Sequence, residues 1–286
     1  MKIQLAGRLG NQLFIWAYAL DYFARSGNPV ELFYDKFHNL NLDSVDIRDL
    51  VADNSGLKIC EDNVSGWLLK LIDKFESISP RVRHILVGDR LVRTQNFHYA
   101  DSDLTDLAPR IIRGYFQSPS YALRQIDIIR QIMNPVINRH FYQISKRVQD
   151  TAAPKEYQVI HVRRGDYSNA PQYGELSMRF YLENVDSGYP LFICTDSSDV
   201  DQEIRNAFPE ASILTPKNSS AWEALALMAK AKKLVIANST LSWWGGLLAS
   251  DAGGEVVIPK PWFKDVSLPE NHFQVLGMRA ANSYFN

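Results

Sequence analysis

Cysteine is scarce: Cys60 and Cys194 are the only two in 286 residues. They are too far apart for a metal motif and too few for a disulfide framework, which points to a reducing compartment. The six histidines are scattered, with no His-x-x-x-His among them and no Cys-x-x-Cys elsewhere, so no metal site is signalled. An excess of either charge is also missing. The 31 basic and 32 acidic side chains leave a net charge of −1, so no global field draws in nucleic acid. Apolar runs are short. None approaches the ~18 residues of a membrane span. The opening MKIQLAGRLGNQLFIWAYAL is broken by Arg8, Asn11 and Gln12 and has no cleavage-site pattern, unlike a secretory signal. Neither G-x-G-x-x-G nor G-x-x-x-x-G-K-[ST] follows any strand pattern, which disfavours a nicotinamide-dependent dehydrogenase and a P-loop enzyme.

Core-forming material is plentiful, with 46% hydrophobic residues, enough for two domains of ordinary size. Residues 2–6 read as a strand and GRLGN as a tight loop. NQLFIWAYALDYFARS reads as a helix whose Leu13, Trp16, Ala17, Leu20 and Phe23 follow the period of about 3.6. Gly27, Asn28 and Pro29 end it, and VELFYD returns as a strand. RIIRGYF (110–116) is a further strand, followed by one helix over 119–133. A second alternating series has strands at 158–162, 191–194, 212–214, 233–237 and 255–258. Helices are expected between them at 177–185, 199–207, 221–231 and 241–249. Strands alternating with helices predict an α/β fold with parallel sheets. The polar stretch 145–157 reads as a linker, giving two Rossmann-like domains, 1–150 and 151–286.

Ligands of such sheets bind beyond the carboxyl ends of the strands. VIHV ends there in Arg163 and Arg164, two permanently charged forks that match phosphate oxygens. Surface ion pairing would explain the pair equally well if it stood alone. KLVIA likewise runs into Asn238, Ser239 and Thr240 before a helix, so hydroxyls and free N–H groups at a helix N-terminus offer an anion site. Plain N-capping is compatible with that. Trp243 and Trp244 are expected to pack at the domain interface, with Gly245 and Gly246 allowing close approach. GRLGNQ (7–12) is a third such loop, in which Gly10, Asn11 and Gln12 would bring backbone and amides to a sugar or phosphate.

Together, GRLGNQLF, GYFQS (114–118), HVRRGDY (161–167), YGELSMRFY (173–181) and NSTLSWWGG (238–246) resemble the ordered signature blocks of the family 11 glycosyltransferases, the α-1,2-fucosyltransferases. The resemblance spans residues 1 to about 262. It implies a glycosyltransferase B fold, two Rossmann-like domains facing a cleft, with the acceptor on the first and GDP-fucose on the second. It implies that Arg163 grips the β-phosphate of the departing GDP, that Arg164 braces the loop, and that His161 sits by guanine or ribose. Ser239 and Thr240 would bind phosphate, Gly10 would contact the donor, and Asn11 would lie near the bond that breaks. Asp166 would orient the arginines or the acceptor and is the candidate base. No metal or other cofactor is expected, and the acceptor would be a galactoside. Relatives of this kind with a membrane anchor are animal enzymes; this chain resembles the bacterial, cytoplasmic type.

Two departures bear on donor recognition. The aspartate that reads guanine in relatives falls on Ala224, leaving Glu223 beside it as a substitute. The acidic pair after strand 191–194 is reduced to Asp196 followed by serine. These leave open a different donor or linkage, or a silent nucleotide-sugar-binding module. Asp101-x-Asp103 and Asp199-x-Asp201 match a metal-binding Asp-x-Asp only formally and are read as structural. The amphipathic stretch Ser65–Ile78, followed by Arg81, Arg83, Arg90 and Arg93, allows a peripheral contact with the inner membrane, although a core-facing helix with a solvated basic flank is the simpler reading.

Overall fold

The computed structural model describes residues 1–38, 46–51, 56–76, 92–95, 111–148, 156–165, 167, 170–197, 202–268 and 273–286. Its first sheet contains β1 (Lys2–Gln4), β2 (Val30–Tyr34), β3 (Leu57–Glu61), β4 (Val92–Gln95) and β5 (Ile111–Gly114). Their order is β3-β2-β1-β5-β4, with every pairing parallel. Helix Leu9–Ser26 follows β1 and is buried on every side from Gln12 to Tyr22, with Leu13, Trp16, Ala17 and Leu20 of the expected stripe among the buried residues, as a helix apolar nearly all round must be. Gly27 closes it at φ 70°, its N–H donating to the Phe23 carbonyl, because an αL residue satisfies the last free carbonyls and glycine adopts αL without strain.

The second sheet contains β6 (Gln158–Val162), β7 (Leu191–Thr195), β8 (Ser212–Leu214), β9 (Lys233–Val235), β10 (Glu255–Lys260) and β11 (Met278–Asn282). The order is β11-β10-β9-β6-β7-β8, again parallel throughout. β6 is buried at all five positions, as a strand covered on both faces must be. Ile160, Val162, Ile193, Val235 and Val257 from four neighbouring strands pack into one cluster with Phe180 and Tyr181 of helix Met178–Leu182.

The two topologies share one property that matters for function. From β1 the chain builds outward through β2 and β3, then crosses to place β5 on the other flank of β1. From β6 it builds through β7 and β8, then crosses to β9. A crevice forms outside the carboxyl ends of two adjacent strands whose connections leave in opposite directions. In the second sheet these are β6, which leads to β7, and β9, which leads to β10; in the first, β1 leads to β2 on one flank, and β5, on the other, is reached from the edge strand β4.

The chain divides into two compact units, Met1–Ile132 and Met133–Asn286. That division falls inside helix Ile126–Val148. The polar stretch 145–157, expected as a linker, therefore begins as the last turn of a helix, and 149–155 lie outside the described residues. The single helix expected over 119–133 is two, Pro119–Arg124 and Ile126–Val148, separated at Gln125. Strands β3, β4 and β11 were not expected.

Candidate active site

The register Val162↔Thr195 between β6 and β7 makes Arg163 and Asp196 the first residues beyond two adjacent strand ends. Their side chains meet there. Arg163 Nη1 lies 2.9 Å from Asp196 Oδ2, the two side chains being 15% and 11% exposed. The guanidinium also stands over the Tyr167 ring, 5.1 Å from its centroid. The other carboxylate oxygen, Asp196 Oδ1, accepts from the Arg164 backbone N–H at 2.8 Å. One carboxylate thus holds both the charged end of Arg163 and the backbone behind it. Gly165 makes this approach achievable. Its φ is +30°, and a Cβ there would stand 2.1 Å from Asp196 Oδ2, so no other residue leaves room for the clamp.

Arg164 points elsewhere. It is buried, with Nη1 donating to the Leu176 carbonyl and Nη2 to Glu203, both at 3.0 Å, and Glu175 at 3.7 Å. Its charge is consumed in bracing the loop rather than offered at the strand edge.

The loop after β9 meets this loop across the crevice. Tyr167 donates its hydroxyl proton to the Asn238 carbonyl at 2.6 Å. Asn238 in turn donates from Nδ2 to the carbonyls of Tyr173 and Gly174 at 2.9 and 3.0 Å. Ser239 is the N-cap of helix Thr240–Asp251, but its hydroxyl makes no capping bond. Ser242 instead turns inward to the carbonyls of Ala237 and Ser239. Trp243 and Trp244 are fully buried, and Trp243 Nε1 donates to the Phe273 carbonyl at 2.8 Å. The close approach their neighbouring glycines allow is internal to this unit. A Cβ on Gly245 would lie 2.8 Å from Met228 Cβ in helix Ala221–Ala229.

The first unit has the same plan. Gln117, beyond β5, donates from Nε2 to Asn11 Oδ1 at 2.9 Å, linking GYFQS to GRLGN at the β1–β5 crevice. Gly7, at φ +69°, lets Asn11 fold back over it, since a Cβ there would stand 2.4 Å from Asn11 Nδ2. Gln12 is buried and pins the loop, donating to the Gly7 carbonyl and accepting from the Asp46 N–H. Gly10 is buried in the first turn of helix Leu9–Ser26.

A family model described as Glycosyl transferase family 11 matches residues 102–273, more than half the chain. The protein is a family 11 glycosyltransferase. An α-1,2-colitosyltransferase of Escherichia coli is 26% identical over 280 residues, covering 91% of each chain. The E. coli O-antigen biosynthesis glycosyltransferase WbnK is 35% identical over 118 residues, 36% of this chain and 38% of that one. Among solved structures, fucosyltransferase NodZ from Bradyrhizobium is 15% identical with a TM-score of 0.50, covering 87% of this chain and 92% of that one. A family 9 glycosyltransferase from Veillonella parvula is 8% identical with a TM-score of 0.50, covering 98% and 86%. These structural likenesses show the fold: glycosyltransferase B type, with Rossmann-like units.

In this family 11 chain, Glu223 does not stand as a free base reader. Ser220 and Glu223 form a reciprocal capping box at the start of helix Ala221–Ala229. Glu223 Oε2 accepts from the Ser220 N–H at 2.8 Å, and Oε1 pairs with Arg147. Burial raises its pKa, but the Arg147 guanidinium and the Ser220 groups outweigh this and hold it below the usual carboxylate value. With both oxygens engaged, its position is explained by helix capping. Glu223→Gln is therefore expected to leave GDP affinity unchanged in a calorimetric titration. Glutamine serves the box, and the Arg147 pair is half-exposed on the arginine side, so the stability cost should stay below about 1 kcal/mol. A tenfold loss of GDP affinity would return Glu223 to the base site.

His161 lies in β6, 2% exposed, with no hydrogen-bond partner at Nδ1. Burial, aided by the Arg163 charge and opposed by Asp196, lowers its pKa from 6.5 to about 4. The imidazole is neutral at pH 7. Because the unfolded chain takes up this proton near pH 6.5 and the folded chain only near 4, stability is intact above 6.5 and falls as pH drops between the two values. At pH 5 the loss from this group should be about 2 kcal/mol. Urea unfolding at pH 7 and pH 5 checks it. His161→Gln should flatten the decline, and an equal decline in wild type and variant would assign it to other groups.

Asp166, Asp101, Asp103, Asp199 and Asp201 lie outside the described residues. Among those described, no three His, Cys, Asp or Glu side chains group to hold a metal, and no helix is long and apolar enough to cross a membrane. Two site residues were missed by sequence: Asp196, noted there only as a departure, and Gln117, which lies within a quoted block but 106 positions from its partner Asn11.

Proposed function

We propose that this family 11 enzyme is an inverting α-1,2-fucosyltransferase that uses GDP-β-L-fucose and a galactoside acceptor. The observation that carries the reading is the Arg163 guanidinium, held by Asp196 at the carboxyl end of β6 and tied through Tyr167 to the start of helix Thr240–Asp251. The acceptor 2-hydroxyl oxygen attacks the anomeric carbon, the bond to the β-phosphate oxygen breaks, and the β-donor yields an α-linkage. Negative charge grows on the leaving phosphate as the proton leaves the hydroxyl. A fixed cation and the free N–H groups of a helix N-terminus stabilise that charge without reorganising at the moment of reaction. Ser239, with its hydroxyl not spent on capping, and Thr240 add donors to the phosphate. Asn11 acts near the bond that breaks, and Asp166 takes the acceptor proton. The second unit binds the donor and the first presents the acceptor. Solved NodZ, named an α-1,6-fucosyltransferase, was soaked with GDP-fucose, which supports the donor class.

Fixed protein charge serves here in place of a divalent ion. Fucosyl transfer is therefore expected to persist in EDTA at an undiminished rate. Abolition by EDTA with recovery on adding Mg²⁺ or Mn²⁺ would overturn the mechanism.

The E. coli relative named a colitosyltransferase favours one second reading: transfer of colitose, which lacks one oxygen of fucose, from its nucleotide sugar. The product mass separates the two.

A further inference from the structure

Among the described residues, helix Asn63–Glu76 packs on the first unit by one side only. Leu69 and Ile72 are buried in a cluster with Phe33 and Ile111, and Gly66 lies so close to Asp35 that a Cβ would stand 2.3 Å from its Cγ. The opposite side presents residues that a core-facing helix has no reason to place there. Val64 is 79% exposed and Trp67 53% exposed, and Leu71, one turn on, is only partly buried. Positions 64, 67 and 71 lie along one helical stripe. Lys70 and Lys74 are exposed on the same side.

The turn Lys36–His38 extends this face. Lys36 Nζ and Lys70 Nζ stand 5.4 and 5.6 Å from the centroid of the Phe37 ring, so two cations gather at one aromatic beside the stripe. The acid of this helix among the described side chains, Asp73, is answered within the fold by Arg113 and by His38. The outward face is therefore apolar at its centre and cationic at its margins. Apolar and aromatic side chains beside lysines are the combination that settles at the boundary between headgroups and acyl chains.

We propose that this face docks on an anionic lipid bilayer. Val64, Trp67 and Leu71 enter the interfacial layer, and Lys36 and Lys70 meet the headgroup charge. The proposal is independent of the sugar transferred.

Sedimentation of the full chain with vesicles of phosphatidylcholine, alone or mixed with phosphatidylglycerol, tests it. The protein should pellet with the anionic vesicles at low salt, weakly with the neutral ones, and be released at high salt. Lys36→Gln and Lys70→Gln should each weaken partitioning about fivefold, and Trp67→Ser at least as much. All three side chains point outward, and the lysine variants stand as the test should the tryptophan variant misfold. Failure to pellet with anionic vesicles would overturn the proposal, as would partitioning unchanged in the variants. A dimer abolished by Trp67→Ser, without vesicle binding, would assign the face to a second copy of the chain.

Discussion

Arg163→Ala should lower kcat by about a hundredfold or more while the protein stays folded. A charge-assisted contact formed to a leaving phosphate is worth ~3 kcal/mol in the transition state, and each 1.4 kcal/mol is about tenfold in rate. The side chain lies at the strand edge against Asp196 and Tyr167 rather than in the hydrophobic cluster around Ile160 and Phe180, so its removal opens no core cavity. It does leave Asp196 without its cation, which costs some stability, and unfolding curves should be recorded alongside the kinetics. A loss in kcat larger than any change in KM is the expected signature, because the contact strengthens as charge develops. Turnover close to wild type would make the arginine a structural ion-pair residue. Arg164→Ala should differ in kind. Its bonds to Leu176 and Glu203 are internal, so stability should fall along with rate.

Gly165→Ala is the second large expected effect, and it removes no functional group at all. The added Cβ would meet Asp196 Oδ2 at 2.1 Å and Cγ at 2.9 Å, at a backbone φ of +30°. The left-handed region costs a Cβ-bearing residue about 1–2 kcal/mol, and the carboxylate must move as well. Asp196 then releases the Arg163 guanidinium and the Arg164 N–H together. Activity should fall at least tenfold, since catalytic groups displaced by even ~1 Å can lose two orders of magnitude. Asp196→Asn should reproduce much of the kinetic loss without the steric strain. Steady-state kinetics on the pair, beside thermal unfolding, separates lost positioning from lost folding. An active Gly165→Ala would show that the clamp does not govern the rate.

The central strands were legible because they are buried on both faces and so appear as nearly continuous apolar runs, VIHV, LFIC and KLVIA. β11, MRAAN, offers no such run, and β3, LKICE, is an edge strand buried only at Leu57. Arg163 could be read from the end of its strand. Asp196 could not, because its role depends on the register Val162↔Thr195, which no local pattern encodes. The Asn11–Gln117 bond likewise joins residues that become neighbours only when β5 crosses to the far side of β1. Glu223 is the opposite case. Ser-Ala-Trp-Glu is a capping-box spelling, so the role the structure gives Glu223 is legible from local sequence alone.

Incubating the protein with GDP-fucose and a panel of galactosides tests the central claim most directly, with product mass and the linkage read by mass spectrometry and NMR. The account predicts a gain of one deoxyhexose, α-linked to the 2-hydroxyl of galactose. Transfer only from a dideoxyhexose nucleotide, linkage to another hydroxyl, or binding of GDP-fucose with no transfer to any galactoside would contradict it.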